Sequence, residues 1–213
     1  MSSPQSQAQR DRQAARERAA QMRRQQRAQE RRRSVLVWSG VVAVVIVIAA
    51  AVALTIAREQ ANKPSLADVR SYTPPQGHVE GPVKYPQTPP AGGEHAPVWL
   101  NCGVYTNPVP NENAVHSLEH GAMWVTYRPD LAAPQVAKLR QALPETYAVL
   151  SPYPGLPAPV VVSAWGRQLT LTGADDARLA AFTKEFRLGP QVPEPGAACT
   201  GGIGSPANPS VAP

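Results

Sequence analysis

The sequence predicts an α+β fold, in which one small mixed-sheet domain with two main helices is preceded by a single transmembrane helix. Three observations lead to this prediction. A long uncharged apolar run lies near the N-terminus, a proline-rich segment follows it, and the remainder alternates short apolar runs with two amphipathic stretches. The ordered part beyond the apolar run is long enough to bury one core.

The first 33 residues are strongly basic. They hold ten arginines against Asp11, Glu17 and Glu30, so this segment carries about +7 while the whole chain carries +6. No apolar stripe at helical spacing runs through it, which predicts a disordered cytoplasmic tail over residues 1–33 or a solvated helix. No aromatic residue is interleaved to stack on bases, so we expect no nucleic-acid binding. The arginines are expected to set topology and to attract anionic lipid head groups.

A run without charges covers residues 35–57, and we assign residues 34–57 as a transmembrane helix. At about 1.5 Å per residue, such a run crosses a hydrocarbon core of roughly 30 Å. A signal peptide has a shorter apolar core, and here apolar sequence continues past the three alanines at 49–51. The lipid bilayer is therefore the expected partner of residues 35–57. The arginines place the N-terminus in the cytoplasm and the C-terminal domain outside it.

Two cysteines, Cys102 and Cys199, both lie on the exported side. An even count in an oxidising compartment favours a disulfide. A loop of about 97 residues closed in this way would stabilise the fold by roughly 4 kcal/mol in the chain-entropy model. A role as metal ligands or as a redox pair stays an alternative, although no Cys-x-x-Cys motif occurs.

Prolines divide the exported part. Residues 58–77 are expected to form a linker, residues 78–199 the extracytoplasmic α+β domain, and residues 200–213 a disordered tail. The segment 64–97 holds many of the 24 prolines and should be extended and irregular. Within it, the loop 85–95 contains two glycines and ends at His95, as a ligand-binding loop would.

The domain should follow the order β-α-β-α-β-β-β-α, giving four or five strands with two helices on one face. Asn111 or Asn113 is the expected cap of a short helix, and Gly121 is placed to end it in the left-handed conformation. The later helices show apolar residues at helical spacing. The expected elements are a strand at 98–105, a helix at 115–120, a strand at 122–127, a helix at 134–143, a strand at 147–150, a hairpin of 160–165 and 168–171, and a helix at 175–186.

All four histidines of the chain lie within residues 78–120. His116 and His120 are four apart, so on a helix both rings project from one face. Imidazole is the commonest side-chain metal ligand. This concentration predicts a metal site built from His116, His120 and the loop residue His95, with His78 as a fourth nitrogen.

Two further residues complete the expected donor set. Glu119 is expected as a carboxylate ligand or as an acceptor that fixes a histidine tautomer. Met123 offers a thioether three residues beyond His120, although it is also placed to pack in a core strand. Imidazoles with a thioether suit copper, and imidazoles alone suit zinc or copper equally. The expected cofactor is a transition metal ion, copper or zinc.

Two other functions stay open. The run from His116 to His120 spells H-x-x-E-H, a zinc hydrolase pattern in which Glu119 would activate water and Glu185 or Glu194 would be the third ligand. Gly121 argues against it, because the helix of such enzymes continues past the motif. The other alternative is a metal-free protein-interaction module, in which the histidines only anchor loops through hydrogen bonds.

Several motifs together resemble a bacterial family of unknown function. They are a Tyr-Pro-x-x-Pro-Pro-x-x-Gly-x-His loop at 85–95, a Gly-x-Tyr segment at 103–105, a Val-His-x-Leu-Glu-His-Gly block with its following strand at 115–129, and Ala-Trp-Gly-Arg at 164–167. The chain has Ala-Gly-Gly-Glu at 91–94 where the family pattern has Thr-Ser-Gly-Pro.

The resemblance spans about residues 78–195. It implies a single-pass membrane protein with an exported domain, and it implies that His95, His116, Glu119 and His120 belong together. The predicted function is a membrane-anchored extracytoplasmic domain that binds copper or zinc, as an accessory or assembly factor within a protein complex of the cell envelope.

Overall fold

The computed structural model describes residues 4–61 and 63–209. The chain forms two compact units, residues 1–62 and residues 63–213. The first unit is one helix, α1 (Pro4–Ala61). The second contains three helices and seven strands within the described residues.

Helix α1 joins the basic segment and the apolar run without a break. Of the two conformations expected for the basic segment, the structure has the helix and not the disordered tail; residues 1–3 lie outside the described residues. Alanine, glutamine and arginine dominate this segment, and all three favour helix. Within the described residues, one helical stretch, Met22–Gln60, is long and apolar enough to cross a membrane, a criterion that an N-terminal signal sequence also meets.

The second unit is built on a mixed sheet. Its elements are β1 Arg70–Ser71, β2 Gly103–Val104, α2 Asn111–Glu119, β3 Met123–Tyr127, α3 Ala133–Ala142, β4 Ala148–Pro152, β5 Val160–Ala164, β6 Arg167–Leu171, α4 Arg178–Phe186 and β7 Asn208–Pro209. The strand order in the sheet is β1-β6-β5-β3-β4-β2-β7. The central strands β3 and β4 are parallel, and β3 is antiparallel to β5 on its other side. The α+β class is confirmed.

Strands β1 and β7 add the two edges that the sequence did not predict. β1 lies in the expected linker and pairs antiparallel with β6. β7 lies in the stretch expected to be disordered and pairs antiparallel with β2. The expectation of a disordered tail is wrong for residues 200–209, because this backbone supplies partners to an otherwise open edge; residues 210–213 lie outside the described residues.

Some element ends differ from those expected. Neither Asn111 nor Asn113 caps α2: the cap position is Pro110, and the Asn113 amide donates instead to the Val98 carbonyl at 2.6 Å. Gly121 does adopt the left-handed region, at φ +102°. The last helix starts at Arg178, because the Asp176 carboxylate accepts hydrogen bonds from the backbone N–H groups of residues before and after it.

Alternation along the strands divides the core between two faces of the sheet. One face, here called the apolar face, packs side chains such as Met123 and Val125 against Leu139 of α3 and Phe182 of α4. The opposite face, here called the histidine face, packs side chains such as Trp124 against α2. Two helices on one face agrees with the prediction, and α2 covers the other.

A disulfide joins Cys102 to Cys199, as expected. The two Cα atoms are 5.4 Å apart, and the Cys102 N–H donates to the Cys199 carbonyl at 2.7 Å. Both half-cystines are buried on the histidine face. The bridge therefore fixes the segment near residue 199 beside strand β2.

Candidate metal centre

Helix α2 supplies the central part of the site. Its apolar residues Val115 and Leu118 pack towards the sheet, and the helix ends at Glu119. His116, Glu119 and His120 are all buried although they are polar. Buried polar side chains need partners, because losing water without a replacement is costly. The C-terminal turn of α2 is therefore where the domain concentrates its buried ionisable groups.

The loop before β2 supplies His95, whose side chain is 0% exposed. Its Nδ1 donates to the Gly93 carbonyl at 2.7 Å. Gly93 has φ +130°, a conformation that favours glycine. A hydrogen bond from the turn between β5 and β6 holds the loop: the Gly166 N–H donates to the Ala91 carbonyl at 2.7 Å. The histidine therefore enters the core on a fixed backbone.

His78 reaches the same place from the preceding strand-like segment. It forms an isolated parallel bridge with His95, in which the Val79 N–H donates to the His95 carbonyl at 2.8 Å. The His78 ring stacks on the His116 ring, with centroids 4.8 Å apart. Its side chain is 50% exposed, in contrast to the other members of the site. His78 therefore forms the solvent-facing side.

One ligand atom from each of His78, His95, His116 and Glu119 lies within 4.8 Å of the other three, and we call this set the inner cluster. The His95 Nε2 is 2.9 Å from the Glu119 Oε2, and the His78 Nε2 is 3.8 Å from the same oxygen. Bonds of about 2.0–2.2 Å to zinc require donor atoms within roughly 4 Å of one another. The widest separation, 4.8 Å, would have to close by roughly 1 Å for all four donors to reach that spacing.

The tautomers follow from the backbone partners. His116 Nδ1 lies 2.7 Å from the Ala96 carbonyl, as His95 Nδ1 lies against Gly93. A carbonyl oxygen only accepts hydrogen bonds, so each Nδ1 carries the proton. The Nε2 atoms of both rings then face the inner cluster, where the His95 Nε2 lies 2.9 Å from the Glu119 Oε2. A carbonyl behind the ring is the usual support of a metal-ligating histidine.

Burial lowers the pKa of His116 to about 4, an effect that the rings of His120, His95 and His78 reinforce and the Ala96 carbonyl opposes. The imidazole is therefore neutral near pH 7. Only the neutral ring has a lone pair to offer a metal.

His120 lies beside the inner cluster and is not one of its four members. Its Nδ1 donates to the Ala198 carbonyl at 2.5 Å, and its Nε2 is 2.9 Å from the His116 Nε2. On the outer side, the Glu194 Oε2 is 3.8 Å from the His120 Nε2. The i, i+4 spacing thus brings the two rings together, as expected, but of the two only His116 belongs to the inner cluster.

Met123 is not brought to the site, and its expected role as a ligand is wrong. It is fully buried in the core of the apolar face. Strand β3 starts at Met123, so the next residue, Trp124, is the one that points to the histidine face. Without the thioether, the donors are imidazole nitrogens and a carboxylate oxygen, so the reason for preferring copper to zinc disappears.

Some contributors could not be found from the sequence. Trp165 packs edge-on against His95 with centroids 5.8 Å apart, and the Trp99 ring is 5.3 Å from that of His120. Backbone carbonyls orient the histidines, and they belong to residues without polar side chains, so the residue types gave no indication of these contacts. The carbonyls are those of Gly93, Ala96 and Ala198.

Comparisons with curated proteins and with solved structures found no match. The sequence model of the family described as "Protein of unknown function (DUF3105)" matches residues 78–201, more than half of the chain. The matched residues include every histidine and both cysteines. The chain therefore belongs to the DUF3105 family.

Proposed function

We propose that this protein is a membrane-anchored, extracytoplasmic domain that binds one transition metal ion, zinc or copper, in the inner cluster. The observation that carries the proposal is the convergence of four donor atoms within 4.8 Å, three of them on buried side chains. They come from three separate parts of the chain. Chance rarely brings so many buried imidazoles together, because each would otherwise need its own hydrogen-bond partner.

The chemistry of the donors supports a metal over a purely structural cluster. In His95 and His116 the Nδ1 atoms are satisfied by carbonyls, which leaves both Nε2 atoms directed into one buried space. Glu119 places a carboxylate oxygen at the same point. Three imidazoles and one carboxylate form a closed four-donor set of the kind that zinc accepts. The same donors suit Cu²⁺.

The anchor and the compartment are part of the proposal. Helix α1 contains an apolar stretch of membrane-spanning length, with most of the ten arginines near its N-terminal end. Arginines favour the cytoplasmic side, which would place the domain outside. The Cys102–Cys199 disulfide supports an oxidising compartment. In that setting we propose a role as an accessory or assembly factor of an envelope complex.

The hydrolase alternative is less well supported. A catalytic base must be free to take a proton from water, whereas the Glu119 carboxylate lies 2.9 Å from the His95 Nε2. The helix also ends at Glu119. Glu185, one of the two third ligands considered, is an exposed residue of α4, which packs on the apolar face.

Metal analysis of the full-length protein in detergent distinguishes the metal-binding function from a metal-free interaction module. We expect about one zinc or copper ion per chain after exposure to a limiting amount of each and gel filtration. His78→Ala should lower the affinity while the fold survives, because its ring is half exposed. Glu119→Gln should lower it further, because the amide keeps the shape and loses the charge.

The matched control is Glu185→Gln, which removes the same carboxylate from the other side of the sheet and should leave metal content unchanged. Circular dichroism checks that each variant is folded. A parent protein that retains no metal, or variants of His78 and Glu119 that retain as much as Glu185→Gln at every metal concentration, would leave the interaction module as the better function.

A further inference from the structure

His120 is not explained by the inner cluster. It is buried, its Nδ1 is used by the Ala198 carbonyl, and its Nε2 lies 2.9 Å from the Nε2 of His116. His116 Nδ1 is used in the same way by Ala96. With each Nδ1 turned to a carbonyl, the two Nε2 atoms face each other at a hydrogen-bond distance, where either a shared proton or a metal ion fits between them.

The 2.9 Å separation of the His116 and His120 Nε2 atoms also fits chelation of one metal ion by both. An ion about 2.0–2.1 Å from both would see them roughly 90° apart, an angle that first-row metals accept. A third donor lies near the His120 ring. The Glu194 Oε2 is 3.8 Å from the His120 Nε2, close enough for one ion to contact both at about 2.0 Å.

The backbone holds Glu194 in this place. Its N–H donates to the Glu119 carbonyl at 3.1 Å, and the Gly196 N–H donates to the His120 carbonyl at 3.1 Å. The Cys102–Cys199 bridge anchors the far end of the same segment. The Glu194 side chain is 58% exposed. A carboxylate is thus presented from the solvent side to a buried pair of imidazoles.

We propose that His116, His120 and Glu194 form a second, outer metal position that shares the His116 nitrogen with the inner cluster. His116 Nε2 has one lone pair, so it serves one position at a time. The protein therefore binds one ion tightly, in the inner cluster. An ion that enters at the outer position keeps His116 as a ligand. It then exchanges Glu194 and His120 for the other inner-cluster ligands, Glu119, His95 and His78. This inference rests on the proposed function and gives the inner cluster a route to solvent besides His78.

The test disables the inner cluster and asks what remains. Full-length His78→Ala/Glu119→Gln protein in detergent is titrated with Zn²⁺ against a chromophoric chelator. We expect about one residual equivalent, bound about tenfold or more weakly than in the parent. Adding Glu194→Gln should weaken the residual binding about tenfold again, whereas adding Glu185→Gln should leave it unchanged. Glu194 is exposed, so this substitution is not expected to disturb folding.

A second readout uses the intact inner cluster. Zinc transfer to excess chelator should slow several-fold in the single variant Glu194→Gln, with an equilibrium affinity within about twofold of the parent. No residual binding in the double variant, or residual binding that Glu194→Gln does not weaken, overturns the outer position while leaving the inner cluster standing. A parent without zinc binding overturns the proposed function itself, and the outer position with it.

Discussion

The two faces of the sheet are built from alternate residues of the same strands, yet they are held together differently. The apolar face is covered by α3 and α4, and its contacts are those of aliphatic and aromatic side chains. The histidine face buries His95, His116, Glu119 and His120, each tied to a specific partner atom. The first kind of packing tolerates changes that preserve volume, whereas the second depends on individual hydrogen bonds.

The difference extends to the range of the contacts. On the histidine face, the partners of α2 come from residues far along the chain, including Ala198 beside the disulfide. On the apolar face, regular helices pack on regular strands. The comparison indicates that apolar packing holds the apolar face, whereas hydrogen bonds and the disulfide fix the buried ionisable groups of the histidine face.

The largest expected effect is on the histidine face, from loss of the disulfide. The bridge spans 97 residues, so Cys102→Ala/Cys199→Ala should lower the free energy of unfolding by up to about 5 kcal/mol. Metal affinity should fall too, because the segment leading to the bridge also holds the inner cluster: its Glu194 N–H donates to the Glu119 carbonyl at 3.1 Å. Urea titration followed by circular dichroism measures the first, and chelator competition the second. A reductant should change the parent and not the double variant.

On the apolar face, Phe182→Ala should cost about 3–5 kcal/mol of stability, since the ring is fully buried between α4 and the sheet. Metal stoichiometry should stay the same below the unfolding transition. Loss of metal from folded Phe182→Ala protein would show that the faces are coupled more closely than their separate packing indicates.

The pH dependence should differ between the faces as well. In the metal-free protein the pKa of His116 is lowered to about 4, against about 6.5 when unfolded. The unfolded chain therefore binds the extra proton first as pH falls, and stability should drop between pH 6.5 and 4, by at most about 3 kcal/mol from this group. His116→Gln should flatten the slope in this window, measured by urea titration with chelator present. An unchanged slope would contradict the assignment.

The smallest effect is expected at the surface of the apolar side. Lys138 on α3 pairs with Asp175 at 2.7 Å, and both side chains are more than half exposed. Lys138→Ala should change stability by less than about 1 kcal/mol and leave metal binding unchanged. The result for this variant gives the effect of a surface substitution in these assays. The effects of the cysteine, Phe182 and His116 substitutions are compared with it.

Regular spacing made the apolar face predictable. Leu139 and Phe182 lie at helical spacing from other apolar residues, and this spacing predicted helices α3 and α4. The run 160–171 was predicted to be a hairpin because Gly166 lies at its turn. The disulfide followed from the count of cysteines and the compartment. Strands β1 and β7 have two residues each, and no periodic pattern exists at that length.

The candidate site was predictable only as a set of residue types. The four histidines and Glu119 stand out in the sequence, but their arrangement depends on loop carbonyls and on where α2 ends. Met123 was assigned by its nearness to His120 along the chain, and the start of β3 turned it to the other face. Glu194 was one of two acidic residues that the sequence offered equally, and only the segment leading to Cys199 distinguishes it from Glu185.

The two edge strands of the sheet determine how readily copies of the domain could pair with one another. Each outermost strand is only two residues long, one ends in Pro209, and the other is followed closely by Pro74 and Pro75. Proline lacks the N–H that another strand would need, and short borders offer little to pair with. Under the proposed anchoring, copies tethered in one bilayer would share an orientation that favours such pairing. Short borders with proline would oppose it.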